Sequence, residues 1–303
     1  MNYQPLIDVA TALGCRVTLQ APMSAATTFK VGGPADLLID LPDPAAVSAV
    51  LTACRAEAIP YLFIGNGSNL VVGDKGFRGA VLRLDGRDAR PERIDDTTVY
   101  APAGMSLQRL CLFARDHGLT GLEFAYGIPG TVGGAVYMNA GAYDGEMVNV
   151  TSSAICIDPD GATVSVLADE LQMTYRHTAL MERDLIVVAV LLHLQRGDRD
   201  AIWDKMKGFM ARRHDKQPLE YPSAGSFFKR PDGYFAGKLI QDAGLKGFIV
   251  GGAQISEKHA GFVINRGGAT AADLVELCRQ VQQRVYEQFG VRLEPEVRFV
   301  GEF

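Results

Sequence analysis

The chain has 303 residues, enough for two or three domains of ordinary size. Hydrophobic residues make up 48% and charged residues 21%, which excludes a disordered or fibrous chain. A net charge of -5 leaves no electrostatic footprint for nucleic acid or an anionic membrane, so an anionic substrate would need a local basic pocket.

The N-terminal "MNYQPLIDVATALG" has no basic region followed by a long apolar run, so no signal peptide is expected. Between Asp36 and Leu84 the pattern predicts strand, helix, strand, turn and strand. Asp43 is suited to cap the helix and Pro44 to open it, and apolar residues at 47, 50, 51, 54 and 58 recur at helical spacing. "YLFI" and "LVV" bracket the turn "GNGSN". The pattern restarts near Val99, with a helix in "SLQRLCLFARDHG" capped by Ser106 and ended by Gly118. "SSAICIDPDGATVSVL" predicts a hairpin turning at Pro159, Asp160 and Gly161. "LIVVAVLLHLQ" predicts a long buried strand, far short of the roughly 20 apolar residues of a membrane span.

The charged "RGDRD" at 196–200 is the expected domain boundary, followed by a helix containing Trp203. "TAADLVELCRQVQQRVYEQFG" is the clearest helix, with Thr270 and Asp273 spaced as a capping box and Gly290 at the C′ position. "VRLEPEVRF" alternates as a strand with one polar face. Cys15, Cys54, Cys111, Cys156 and Cys278 show no CxxC and no metal-ligand spacing with histidine. They predict reduced thiols in a cytosolic protein and no metal site.

Two glycine-rich stretches carry the chemistry. In "YLFIGNGSNLVV" a strand enters a turn at Gly65, Asn66, Gly67, Ser68, Asn69 and Leu70. Such a turn is either a plain β-turn or a nest of N–H groups for an anion. It lacks the third glycine and the following helix of a Rossmann fingerprint, and it has no GK[ST]. In "YGIPGTVGG", Gly127, Ile128, Pro129, Gly130, Thr131, Gly133 and Gly134 combine bare backbone, a rigid bend and one hydroxyl. Both stretches together point to a dinucleotide, and a non-Rossmann FAD site uses both.

Other residues take narrower readings. Arg176, beside Tyr175 in "MTYRHTAL", suits a carboxylate, although a surface arginine is the commoner case. Ser226 in "SAGSFFKRP" has no nucleophile elbow or triad partners, so it gives a proton or is a turn serine. Lys216 and Lys229 nearby suit a phosphorylated substrate. Glu294 and Glu296 share one face of the last strand; spacing does not choose between them.

In this order, "TTFKVGGPAD", "IGNGSNLVV", "GLEFAYGIPGTVGGAVYMNAGAYDGE", "YRHTAL", "GSFFKRP", "AGKLIQDAGLKGFIVGGAQISEKHAGFVIN" and "LEPEVRFVG" closely resemble the UDP-N-acetylenolpyruvoylglucosamine reductase family of bacterial cell-wall precursor synthesis, in its shorter form. The resemblance runs from about Thr27 to the end. It implies an α+β fold: a two-lobed FAD-binding domain of the vanillyl-alcohol-oxidase (PCMH) type and a C-terminal α+β substrate-binding domain. The corresponding division is 1–84, 85–197 and 198–303. It implies that NADPH reduces FAD, which passes hydride to the enolpyruvyl ether of UDP-N-acetylglucosamine-enolpyruvate to give UDP-N-acetylmuramate. By the same resemblance, Arg176 binds the substrate carboxylate and stabilises the enolate-like intermediate, Ser226 protonates it, and Glu296, not Glu294, assists. Tyr175 and Lys216 hold the nucleotide and phosphate side, with Lys229 and Arg230 also at the substrate. Arg230 stands where the family pattern has an asparagine, so altered affinity for the UDP-sugar is expected there. A cytoplasmic monomer without nucleic-acid or membrane partners is the expected setting.

Overall fold

Asp43 adopts an extended backbone, and its side chain accepts the Ala46 N–H at 2.8 Å, which starts a helix at Pro44. This interaction satisfies one of the donors that every helix start leaves open. In the computed structural model, which describes residues Met1 to Phe303, the helices are α1 Gln4–Ala12, α2 Pro44–Ala56, α3 Leu107–Asp116, α4 Val132–Tyr137, α5 Arg199–Lys216, α6 Ala236–Asp242 and α7 Ala271–Phe289. The predicted caps hold: Ser106 accepts from Arg109 N–H in α3, and Thr270 and Asp273 close a capping box on α7. Gly290, left-handed at φ +70°, ends α7. Helix α2 stops earlier than its apolar spacing predicts. Ala58 lies beyond it at φ +52° and is exposed, and Ile59 is buried instead.

The chain forms two compact units, each assembled from separated stretches. The first comprises Met1–Leu19, Leu37–Asn66 and Gly79–Arg212. The second comprises Gln20–Asp36, Gly67–Arg78 and Arg213–Phe303. The predicted boundary at "RGDRD" therefore precedes the passage between units, which occurs within α5 after Arg212.

A five-stranded sheet forms the centre of the first unit. Its order is Thr163–Leu167, Thr151–Ile157, Ile186–His193, Thr98–Pro102 and Glu92–Arg93. The outer pair is the predicted hairpin, Ile157 opposite Thr163, with Gly161 at φ +82° in its turn. The apolar run at Ile186–His193 is central, paired antiparallel on both sides. Burial on both faces explains its near-continuous apolar sequence. Helices α3 and α4 supply Leu107, Leu110, Val132 and Val136 to the core that covers it. Elsewhere in the unit, α1 and α2 pack Leu6, Val47, Val50 and Leu51 with Leu37, Ile39 and Leu82. Asp40 is buried there but accepts from Arg16 at 2.7 Å and Arg83 at 2.6 Å. Two arginines offset the desolvation cost that an unpaired carboxylate would incur.

In the second unit, α6 and α7 cover the sheet of Ile249–Val250, Ala253–Ile255 and Val263–Asn265. The predicted terminal strand is much shorter than its alternation, spanning only Arg298–Val300, which runs parallel to Leu70–Val72. Leu293 and Val297 are nonetheless buried and Glu294 is exposed, so side-chain alternation persists where the backbone ladder does not. All five cysteines are free and buried. Burial pushes the thiol of Cys54 up to about 11 and those of Cys156 and Cys278 to about 12, so these act as protonated packing groups. No helix is long and apolar enough to cross a membrane, and no group of three or more His, Cys, Asp or Glu side chains is placed to hold a metal ion.

The capping box on α7 gives a direct stability test. Thr270→Ala should destabilise the second unit by about 1 kcal/mol, read as a lower urea midpoint.

Candidate active site

In the first unit the two glycine-rich stretches meet. The Tyr61–Ile64 strand, parallel to Phe77–Leu84, delivers the chain to Gly65. Asn66 Nδ2 donates to the Pro129 carbonyl at 2.7 Å. A β-carbon on Gly65 would lie 2.5 Å from Thr131 Oγ1, so only glycine allows this approach. Thr131 Oγ1 in turn accepts from Gly134 N–H and caps α4. The bareness of Gly133 has another cause: a β-carbon there would meet the Ala103 β-carbon at 2.7 Å, and its N–H donates to the Ala103 carbonyl. Gly133 therefore lets the start of α4 pack on protein. Gly127 sits at φ +96°, turning the chain into Ile128, whose N–H bonds to Ala125. Gly130 O receives the Leu107 N–H at 3.0 Å. The result is closely packed backbone at Gly65–Asn66 and Gly127–Gly134, in which the Ile128, Val132, Gly133 and Gly134 N–H groups are bonded within the protein.

The remainder of the "GNGSN" turn belongs to the second unit. Gly67 is left-handed at φ +59°, and its carbonyl accepts from Thr28 N–H. Ser68 is half-buried. Asn69 Nδ2 donates to the Glu296 carbonyl at 3.1 Å, and Leu70 pairs with Arg298.

Tyr175 and Arg176 form a two-residue turn in the first unit. Thr174 and His177 exchange both backbone bonds, at 3.0 and 3.2 Å. Arg176 has φ +56°, a conformation that costs a non-glycine residue roughly 1–2 kcal/mol. Its guanidinium lies 4.8 Å from the centre of the Tyr175 ring. The turn is tied down by Thr178, fully buried, whose hydroxyl donates to the Tyr137 carbonyl at 3.0 Å.

The second unit holds Ser226, Lys229 and Glu296 on adjoining segments of irregular backbone joined by single bridges. Phe227 N–H donates to Gly261 O at 2.9 Å, and Phe227 O accepts from Glu296 N–H at 2.8 Å. Lys229 N–H donates to Glu294 O at 2.8 Å. Phe227 is buried, edge-on to Phe29 and Phe299. That anchor holds Ser226, exposed and preceded by left-handed Gly225, beside the Phe227–Glu296 bond. The structure separates the two glutamates. Glu294 is exposed and its carboxylate pairs with Lys229 Nζ at 3.4 Å, whereas Glu296 is half-buried against Phe227. Arg230 folds back in its own loop, with Nε donating to Tyr234 O and the guanidinium 4.0 Å from the Phe235 ring centre. Lys216 is exposed at the end of α5.

His259 is a residue the sequence reading passed over. It is edge-on to Phe262, the residue bridged to Ser226, and its Nδ1 accepts from Gly261 N–H at 3.1 Å. Burial holds its imidazole below the usual 6.5; a backbone hydrogen bond opposes that, and the Lys246 and Lys216 charges reinforce it. Its spacing offered no signal, since a single histidine between Lys258 and Ala260 makes no metal-ligand or triad pattern.

Comparisons with known proteins match these two regions separately. Residues 35–167 match the FAD binding domain model, and residues 217–300 match the UDP-N-acetylenolpyruvoylglucosamine reductase C-terminal domain. The chain is 47% identical over 285 residues to a UDP-N-acetylenolpyruvoylglucosamine reductase from Clostridium perfringens, covering 94% of this chain and 93% of that one. It is 48% identical to the Agathobacter rectalis protein of the same name, covering 93% of each. The crystal structure of UDP-N-acetylenolpyruvylglucosamine reductase from Thermus caldophilus is similar at 37% identity and a TM-score of 0.79, over 94% of this chain and 98% of that one. Alkyldihydroxyacetonephosphate synthase, at 14% identity and a TM-score of 0.50 over 65% of this chain and 41% of its own, shares the fold alone.

Gly65→Ala should force a clash worth about 1–3 kcal/mol, weakening FAD retention roughly tenfold by the fluorescence of released flavin. Adding Thr131→Ala, which removes the clashing oxygen, should recover part of it. The depressed His259 pKa has a signed consequence. The unfolded chain takes up this proton near 6.5 and the folded chain only at lower pH. The stabilisation is therefore fully present above 6.5 and lost as pH falls from there through the folded pKa. Between roughly pH 7.5 and 5.5, His259→Gln should lose urea stability less steeply than the parent.

Proposed function

The chain belongs to the UDP-N-acetylenolpyruvoylglucosamine reductase family and is an FAD-binding oxidoreductase; from that premise we propose that it uses NADPH to reduce the enolpyruvyl ether of UDP-N-acetylglucosamine-enolpyruvate to UDP-N-acetylmuramate, with Ser226 as proton donor. Backbone at Gly65–Leu70 and Gly127–Gly134 would hold FAD, which would supply hydride-transfer chemistry when bound. The placement of Ser226 supports the reading most directly: an exposed hydroxyl fixed by a buried aromatic anchor, beside the backbone of Glu296.

Arg176 holds the substrate carboxylate. Hydride delivery to the enol ether drives negative charge toward that carboxylate, and a fixed guanidinium stabilises the charge more in the transition state than in the ground state. The strained turn supports this role, because strain at a rigid tip is a feature of sites where a side chain must be aimed. Ser226 then gives its proton to the carbon next to the ether oxygen. A neutral serine is a weak acid, so the step needs its alkoxide stabilised. Glu296 assists there; Glu294, paired with Lys229 at the surface, does not. Tyr175, Lys216, Lys229 and Arg230 contact the UDP-sugar. The chain divides functionally into lobes at 1–84 and 85–197 and a substrate-binding domain at 198–303, acting as a cytoplasmic monomer on soluble partners.

The test is visible absorbance without oxygen. NADPH should bleach the yellow protein, and the enolpyruvyl UDP-sugar should restore its colour. Bleaching without recovery would move the substrate elsewhere. Ser226→Ala should keep FAD and its reduction by NADPH, while product formation falls by about two orders of magnitude or more. Glu294→Gln should stay close to the parent, and Glu296→Gln should not.

A further inference from the structure

Asn139 lies just beyond the end of α4, fully buried and left-handed at φ +40°. Its side chain bridges segments distant in sequence. Nδ2 donates to the Thr174 carbonyl at 3.0 Å and to Glu146 Oε2 at 3.2 Å, and Oδ1 accepts the Val148 N–H at 2.9 Å. Thr174 is the first residue of the turn that presents Tyr175 and Arg176, and Thr178 just past its end donates to Tyr137. Both ends of the turn are therefore fastened to one stretch, Tyr137–Asn139. That same stretch continues α4, which starts at Thr131 against Gly65.

We propose that Asn139, with Thr178, is a positioning residue that aims Arg176 at the substrate carboxylate and fixes its distance from the cofactor-binding backbone at the other end of α4. This inference rests on the substrate role of Arg176 proposed above. The geometry supplies the mechanism. A left-handed arginine relaxes toward commoner conformations unless its surroundings over-determine it. Here the Thr174 carbonyl takes the Asn139 side-chain Nδ2–H as well as the His177 backbone N–H, so the turn cannot roll without breaking a part-buried bond. Asparagine also suits its own site, since it tolerates positive φ better than most side chains while offering both a donor and an acceptor.

The test compares the two half-reactions, because a general loss of structure slows both. Asn139→Asp keeps the acceptor for Val148 but cannot donate to Thr174 and faces the Glu146 carboxylate. Thr178→Val keeps the shape and removes the hydroxyl. Each variant should keep its FAD and be reduced by NADPH within about twofold of the parent rate. Reoxidation of the reduced flavin by the enolpyruvyl UDP-sugar should slow roughly 10- to 100-fold, the cost of misplacing a group by about 1 Å. Thr178→Ser, which restores the hydroxyl, should regain most of the rate. Unchanged reoxidation, or equal slowing of both half-reactions in Asn139→Asp and Thr178→Val, would overturn the positioning role. A parent protein that the sugar does not reoxidise would overturn the functional reading and this inference with it.

Discussion

The first unit's chemistry depends on one short piece of chain, from Thr131 to Asn139. Helix α4 within it has only six residues, too few to be stable alone. It persists because Thr131 caps it, Val132 and Val136 are buried in the central core, and Gly133 lets its first turn touch Ala103. At one end it meets Gly65 and receives the Asn66 side chain through Pro129. At the other, Tyr137 and Asn139 fasten the turn of Arg176. The glycine-rich backbone at Gly65 and the strained arginine turn are thus held by the same short element.

The second unit fixes the backbone around Ser226 and Glu296 by different means. Ser226 and Glu296 sit on irregular backbone, with single bridges in place of a long ladder. Their positions are set by Phe227, wedged among Phe29, Phe228 and Phe299, and by hydrogen bonds on both sides of the segment. Large aromatic side chains contribute much burial per residue with little rotamer entropy to lose. An exposed polar residue next to such an anchor keeps its place without being buried itself. Buried carboxylates follow the complementary rule. Asp40 takes two arginines, and Asp36 in the second unit takes Arg78 at 2.6 Å and Gln20 at 3.3 Å, so neither is left without donors.

Local signals in the sequence were reliable where the cause is local. Caps at Asp43, Ser106 and Thr270, the turn at Gly161 and the stop at Gly290 each depend on a few neighbouring residues. Ala58 misled because apolar spacing continued past the helix, while the backbone had already turned to bury Ile59. The terminal segment misled differently. Its alternation reported which side chains are buried, but a strand also needs a continuous ladder; Arg298–Val300 has one at Leu70–Val72, whereas Pro295 makes only a single bridge, to Phe228.

By itself the sequence determined the element types, the two glycine-rich stretches, the FAD-binding reductase family and the residues to inspect. All of these are carried by residue identity and short-range spacing. Only the tertiary structure decided which contact explains each glycine, so that Gly65 answers to Thr131 and Gly133 to Ala103. It also paired Glu294 with Lys229 and left Glu296 half-buried, a difference of surroundings beneath a choice the family resemblance had made, and it alone brought Asn139 to Thr174. Asn139 and Thr174 are 35 positions apart, and no local preference encodes a bond that forms only after helix, sheet and turn have packed.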